Sequence, residues 1–268
     1  MQHKVRGYFT EADGNYSPTE YAESPWSAEM LNGPCVCGLL ARELENHHAV
    51  EGFVPARFTV DLFKPVRAEV VRFTTTRVRD GNRIRVADAQ LLQGGDVSAR
   101  ATVVYLRTSS QPPGTAWTRD SHPEPPPAGL DGAPTGFVPT WFGSDDHPEG
   151  WSQAISEHQN SSRKRLWARQ LPVIVGEEPS PFVRAVTVGE ATSLMANWSE
   201  KGVGFINADL TLTFSRLPSG PEVGVEADHH ISSDGISVGT SVLFDRMGTF
   251  GAGTVTALSN AHRQVDFG

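Results

Sequence analysis

The sequence predicts an α+β protein built from two tandem copies of one unit, each a long helix wrapped by an antiparallel sheet. Three observations carry this. Residues 84–106 (IRVADAQLLQGGDVSARATVVYL) and 236–258 (ISVGTSVLFDRMGTFGAGTVTAL) align without a gap over 23 residues. Ile84 falls on Ile236, Val86 on Val238, Leu91 on Leu243, Thr102 on Thr254, Val103 on Val255 and Leu106 on Leu258. An internal match of this kind says that one half of the chain copies the other. Upstream of the match, each half carries one helical pattern opened by a capping residue and a proline. Between them lie strand patterns joined by turns too short for crossover connections, so neighbouring strands are antiparallel. A helix apolar on one face needs a sheet to cover it, and a strongly twisted antiparallel sheet wrapped round the helix does so.

In chain order, Tyr8-Phe9-Thr10 is a short first strand. Asn32 is an N-cap with Pro34 in the first turn, and Val36, Leu39, Leu40 and Leu44 recur at helical spacing, which predicts a helix over 33–46. In RFTVDLF, Phe58, Val60 and Leu62 alternate with Arg57, Thr59 and Asp61, the period of a half-buried strand that Pro65 ends. A strand over 69–79, the Asp80-Gly81 turn, and strands over 84–92 and 97–108 joined at Gly94-Gly95 complete the first unit. Residues 111–148 crowd Pro112, Pro113, Pro123, Pro125, Pro126, Pro127, Pro134 and Pro139, which predicts a stiff linker without regular structure. Its Trp117, with Trp141 and Trp151, is expected to pack on the units. The second unit then brings a strand over 165–175 and a helix opened by Ser180-Pro181. That helix presents Phe182, Val186, Leu194 and Met195 and ends near Asn197-Trp198. A strand over 207–216 stopped by Pro218, a strand over 221–230, the Asp234-Gly235 turn and the final pair over 236–258 follow. The expected division is 1–110, a linker at 111–150, and 151–268.

The 268 residues suffice for two ordinary domains with no disulfide or metal staple. With 23 basic and 31 acidic residues, net charge −8, the chain is not a non-specific nucleic-acid binder. Cys35 and Cys37 are the only cysteines, and they read as small core residues in a reduced, cytoplasmic setting. The sequence holds neither a run of the roughly 18 apolar residues a membrane span needs nor a signal-peptide core at MQHKVRGYF.

The helix followed by RFTVDLFKPV, a D-G turn and two strands ending ATVVYL resembles the N-terminal hot-dog domain of type II acyl-CoA thioesterase-like proteins. INADLTLTFSRLP and the strand pair ending FGAGTVTAL resemble the C-terminal hot-dog domain of the same family. The resemblance implies a tandem, or double, hot-dog fold and hydrolysis of a fatty acyl-CoA thioester by water, a step of lipid metabolism. It implies no cofactor, and the reading leaves room for a homo-oligomer. In the family, an Asp on the second helix, a Thr or Ser early on the next strand and a Gln on the last strand hold the attacking water. The matching positions here are Glu190, Asn207 and Thr256. The Asp is thus a homologous acid, the Thr an amide and the Gln a hydroxyl, and the last departure puts water positioning in question. At the position of Thr256 the first half has Val104, so that half is expected to be catalytically empty.

The chemistry is reasonable on physical grounds. A thioester has an electrophilic carbonyl and a good leaving group, a carboxylate beside an apolar channel has a raised proton affinity, and backbone N–H groups at a helix start stabilise an oxyanion. On the residues alone, Glu190 also reads as a surface acid of an amphipathic helix, Asn207 as a turn residue and Thr256 as a strand former. The runner-up function is therefore a non-catalytic double hot-dog protein that binds acyl-CoA or an acyl chain. Gly235-Ile236-Ser237-Val238-Gly239 matches G-x-S-x-G but has a turn before the Ser and a strand after it, the wrong context for a nucleophile elbow. His47-His48 and His229-His230 are adjacent pairs; strand neighbours face opposite sides, and with no H-x-x-x-H or C-x-x-C no metal site is expected. Phosphate-binding loop motifs are absent too.

Overall fold

The computed structural model describes residues 6–25, 27–127 and 140–268. Helix α1, Gly33–His48, starts where its cap requires: the Asn32 side chain accepts from Cys35 N at 2.9 Å, and Pro34 sits in the first turn, where no N–H is needed. Cys35, Cys37, Leu39, Leu40 and Leu44 are fully buried on it. Strands β1 (Phe53–Leu62), β2 (Arg72–Asp80), β3 (Ile84–Gln93) and β4 (Asp96–Arg107) follow. Next come β5 (Thr140–Ser144), β6 (Trp151–Ser152) and β7 (Lys164–Ala168). Helices α2 (Pro181–Gly189) and α3 (Thr192–Asn197) precede β8 (Phe205–Asn207), β9 (Asp209–Phe214), β10 (Val223–Ser233), β11 (Ile236–Asp245) and β12 (Gly248–Ser259).

All twelve strands form one sheet in the order β6-β5-β7-β10-β11-β12-β9-β1-β4-β3-β2, with β8 also on β12. Every pairing in it is antiparallel. The two hairpins β3–β4 and β11–β12 share one register: Ile84 pairs Leu106 as Ile236 pairs Leu258, and the shift between Leu91 and Leu92 recurs between Leu243 and Phe244. The halves meet at β1 and β9. Asp61 opposes Asp209 and Arg57 opposes Thr213, symmetrically about Thr59 and Thr211, whose hydroxyls bond each other at 3.0 Å. A pseudo-twofold axis therefore passes between these two threonines. The helices pack antiparallel on one side of the sheet, approaching closely at Gly38, where a Cβ would lie 2.4 Å from Thr187 Oγ1. This is the tandem hot-dog arrangement, each helix wrapped by its part of the sheet.

The structure departs from the sequence reading in four places. The proline-rich segment is irregular at 111–127, but its end forms β5, because Trp141 and Phe142 pair with Trp167 and Leu166 of β7. Pro134 and Pro139 of the expected linker lie outside the described residues. Trp141 and Trp151 join an aromatic cluster with Trp167 and Phe244, whereas Trp117 is 84 % exposed and packs on neither half. The strand expected over 165–175 stops at Ala168; residues 172–175 instead bond Tyr8 and Phe9, whose strand Phe9–Ala12 forms a hairpin with Asn15–Pro18. Finally, the second helix is split at Glu190-Ala191, and the strand expected over 207–216 is interrupted at Ala208. Both interruptions fall at the candidate site.

Candidate active site

Ser180 caps α2 by accepting from Val183 N at 3.1 Å, as expected, and the helix runs to Gly189. The chain passes close to β9 here, since a Cβ on Gly189 would lie 2.8 Å from Leu212 Cδ1. Glu190 N still reaches Val186 O, but Ala191 N reaches back only three residues to Val188 O, so the helix tightens and restarts as α3. Glu190 leaves this joint towards the first turn of α1. A Cβ on Gly33 would lie 2.1 Å from Glu190 Oε1. The absence of a side chain at Gly33 therefore makes the space in which the carboxyl sits.

As a whole residue Glu190 is half-buried. Its carboxyl is enclosed, and burial pushes its pKa up to about 8, against the opposing pull of the Asn207 side-chain amide. The positive end of α1 also favours the charged form, but a helix terminus contributes only about 0.3–2 kcal/mol, and desolvation wins. Burial, and secondarily the nearby Glu190 charge, raises the thiols of Cys35 and Cys37, so neither is an activated nucleophile.

Asn207 reaches the same place through a β-bulge. It pairs with Ala257, while four residues later Thr211 pairs with Thr254, so one extra residue is taken up around Ala208. The bulge turns Asn207 to the helix side of the sheet, the side that Ala257 faces. Its Nδ2 is buried and makes no hydrogen bond of normal geometry. The amide is thus near enough to influence Glu190 but is unsatisfied, which is unusual for a buried donor.

Thr256 does not join them. Gly253, Val255 and Ala257 are the inward residues of β12, and Thr256 points to the outer face. There its hydroxyl donates to Asp209 Oδ2, and its N–H donates to Asp209 Oδ1 at 3.1 Å. Counting from the turn placed Thr256 one residue away from the inward face, and with period 2 one residue reverses the side. Val104 is on the outer face for the same reason, so it has no bearing on the sister site. The structure brings together Glu190, Asn207 and Gly33. Gly33 was missed in the sequence, although a glycine between a cap residue and a proline was a visible signal.

Residues 22–106 match the pattern of the acyl-CoA thioesterase N-terminal domain, and residues 118–255 match that of the acyl-CoA thioesterase C-terminal domain. The chain belongs to the acyl-CoA thioesterase family. The fold of this family member is also found in solved structures. A TesB protein of Mycobacterium avium subspecies paratuberculosis is 13 % identical, covering 93 % of this chain and 95 % of that one, with a TM-score of 0.65. A hot-dog protein of unknown function from Alicyclobacillus acidocaldarius is 17 % identical over 93 % and 94 %, TM-score 0.66. The acyl-CoA thioesterase II TesB2 of Mycobacterium marinum is 13 % identical over 93 % and 93 %, TM-score 0.62. At these identities the likeness speaks for the fold. The search of curated proteins gave no match.

Other sequence features take structural roles in this thioesterase-family chain. Ser237 Oγ donates to Asn197 Oδ1 at 2.9 Å from within β11, with Asp234 and Gly235 forming a turn just before it. His230 Nδ1 bonds Ala196 O at 2.9 Å. Two surface clefts, of about 750 and 570 Å³, are lined by residues that include neither Glu190 nor Asn207. No helix among the described residues is long and apolar enough to cross a membrane.

Proposed function

We propose that the chain hydrolyses a fatty acyl-CoA thioester at Glu190 and Asn207. The observation that carries this reading is an enclosed carboxyl of raised pKa held against the start of α1 beside an unsatisfied buried amide donor. Such a pairing is what general-base chemistry needs and what a structural ion pair lacks. Ionised Glu190 takes a proton from water as the water oxygen adds to the thioester carbonyl carbon. The resulting oxyanion lies towards the first turn of α1, where the Gly33 N–H is a free donor type. The Asn207 amide holds the water or the carbonyl. The tetrahedral species collapses with cleavage of the C–S bond, and Glu190 returns the proton to the departing thiolate, giving the free acid and CoA thiol. In this reading Thr256 supports β12 through Asp209 and has no chemical step.

The proposal carries with it a cytoplasmic setting, which suits two free thiols, and two units, 1–110 and 140–268, because β5 of the linker expected over 111–150 pairs with β7 of the second unit. A second reading, acyl-CoA or acyl-chain binding without turnover, is favoured by one observation: the inward residues of β12 near Asn207 are Gly253, Val255 and Ala257, with no polar side chain. Measuring free thiol released from acyl-CoAs of short to long chain, alongside their binding, separates the two. Turnover abolished in Glu190→Gln supports the first reading. Saturable binding with no thiol release at any chain length establishes the second.

A further inference from the structure

At the far end of the sheet, β5, β6 and a 3₁₀ turn, Ile155–His158, gather two imidazoles and a carboxylate. His147 lies in the β5–β6 loop, fixed by His147 N to Ser144 O at 3.2 Å and Gly150 N to His147 O at 2.9 Å. His158 is completely buried. The two rings lie 4.5 Å apart between centroids, tilted by 41°. Glu157 Oε2 is 3.5 Å from His147 Nε2. One donor atom from each of the three residues lies within 4.8 Å of the others. No hydrogen bond or ion pair among the described residues connects the cluster to Glu190 or Asn207.

His147 Nδ1 is buried without a partner, and its Nε2 has only the Glu157 carboxylate. On the His158 ring, Ser144 Oγ lies 3.0 Å from Nδ1 and Ser152 Oγ 3.0 Å from Nε2. Ser144 is itself held by Asn160 Nδ2 at 3.0 Å, so it orients the ring from behind as outer-shell partners of metal-binding histidines do. Ser152 has other partners in the backbone of Ala154 and can yield Nε2 by rotating. The ligands of a tetrahedral zinc ion sit roughly 3.3 Å apart, given bonds of about 2.0 Å. The His147–Glu157 pair is already near that spacing, and the half-exposed Glu157 side chain can move to complete it.

We propose that His147, Glu157 and His158 bind one divalent zinc-like ion, with water as the fourth ligand, pinning the β5–β6 loop to the 3₁₀ turn. Two nitrogens and one carboxylate oxygen suit Zn²⁺ or Co²⁺ and not Ca²⁺ or Mg²⁺, which prefer all-oxygen shells. The sequence reading expected no metal because it looked for short local spacings. This set joins His147 to residues at 157 and 158 through a folded loop.

The test is calorimetric titration of the chelator-treated full chain with Zn²⁺, repeated with His147→Asn and Glu157→Gln. The Glu157 side chain is half-exposed and that of His147 mostly buried, so circular dichroism without metal verifies that each variant is folded. Co²⁺ gives an independent absorption signal for coordination by nitrogen. The expected result is one ion per chain, raising the melting temperature roughly with the logarithm of the free ion concentration, with affinity at least about tenfold weaker in each variant. Lack of stoichiometric uptake by the unmodified chain overturns the proposal. Equal uptake by the unmodified chain and both variants also overturns it, because the ion would then be bound elsewhere, at His47-His48 or His229-His230. None of these readouts depends on thioester hydrolysis.

Discussion

The antiparallel helix pair has two ends, and each brings a glutamate to the start of the opposite helix. At one end Glu190 meets Gly33 of α1; at the other Glu45 meets the α2 cap Ser180, whose hydroxyl donates to Glu45 Oε2. The sheet beneath is built alike at both ends. A register shift between Pro55 and Arg57 in β1 corresponds to the one around Ala208, and Pro55 opposes Tyr105 where Asn207 opposes Ala257. The side chains differ. Tyr105 is buried and its hydroxyl donates to Leu44 O at 3.0 Å, so it fills and satisfies its end. Pro55 offers no side-chain donor. At the Glu190 end, Ala257 leaves space and Asn207 Nδ2 goes unsatisfied. Burial raises both carboxyls, but a hydroxyl partner holds Glu45 down, while Glu190 has only a poorly placed amide. One frame thus carries one end closed by its own side chains and one end left incomplete, and on the proposed function the incomplete end is the one a substrate completes.

The strongest way to break this comparison is to neutralise each acid in turn. Glu190→Gln keeps the shape and removes the base, so kcat should fall by about 10²- to 10⁴-fold. Glu45→Gln should leave kcat unchanged. Equal losses in the two variants, measured by thiol release, would mean that the asymmetry is not functional.

Gly33→Ala tests the space rather than the charge. The new methyl group would lie 2.1 Å from Glu190 Oε1 in the present geometry, so the carboxyl must move. A displacement of about 1 Å at a catalytic group costs on the order of 10²-fold. We expect that loss in kcat with KM changed little and the pH–rate profile shifted. An unaltered profile would place the carboxyl outside the chemistry.

The raised proton affinity of Glu190 also has a stability consequence, whose sign follows from linkage. Its pKa is about 8 folded against an ordinary 4.5 unfolded, so between those values the folded state holds a proton that the unfolded state has released. Stability therefore falls as pH rises through that window and levels off above it. Glu190→Gln lacks this dependence. The variant should gain on the unmodified chain from roughly pH 5 to pH 8, by on the order of a few kcal/mol, in denaturant melts at several pH values. Parallel pH curves for the two proteins would show that Glu190 is not enclosed.

Much of the frame was legible because its signals are local. The caps at Asn32 and Ser180, the alternation in β1 and β9 and the match of 84–106 with 236–258 each depend on neighbours in sequence. The match even carries the bulge between Leu91 and Leu92 across to Leu243 and Phe244. The site was legible only in part. Glu190 and Asn207 were placed by resemblance, but the Ala208 bulge that turns Asn207 inward has no glycine to mark it. Thr256 failed because a strand reverses side at every residue. Gly33 is far from Glu190 in sequence, and only the packing of the helices brings them together.

The smallest effect is expected at the closed end, and it sharpens the contrast most directly. Ser180 does two things: its Oγ accepts from Val183 N as the α2 cap and donates to Glu45. Ser180→Ala removes both. Loss of an N-cap costs about 1 kcal/mol, which for a chain of this size lowers the melting temperature by about 2–4 °C. Glu45 loses the hydroxyl that opposes its desolvation, so its carboxyl should titrate higher, and the folded state should weaken further as pH rises above the ordinary glutamate range. Turnover should not change, because on this reading the Glu45 end does no chemistry. A loss of kcat approaching that of Gly33→Ala would show that the two ends are coupled through the helix pair, and the division between a closed and a working end would have to be abandoned.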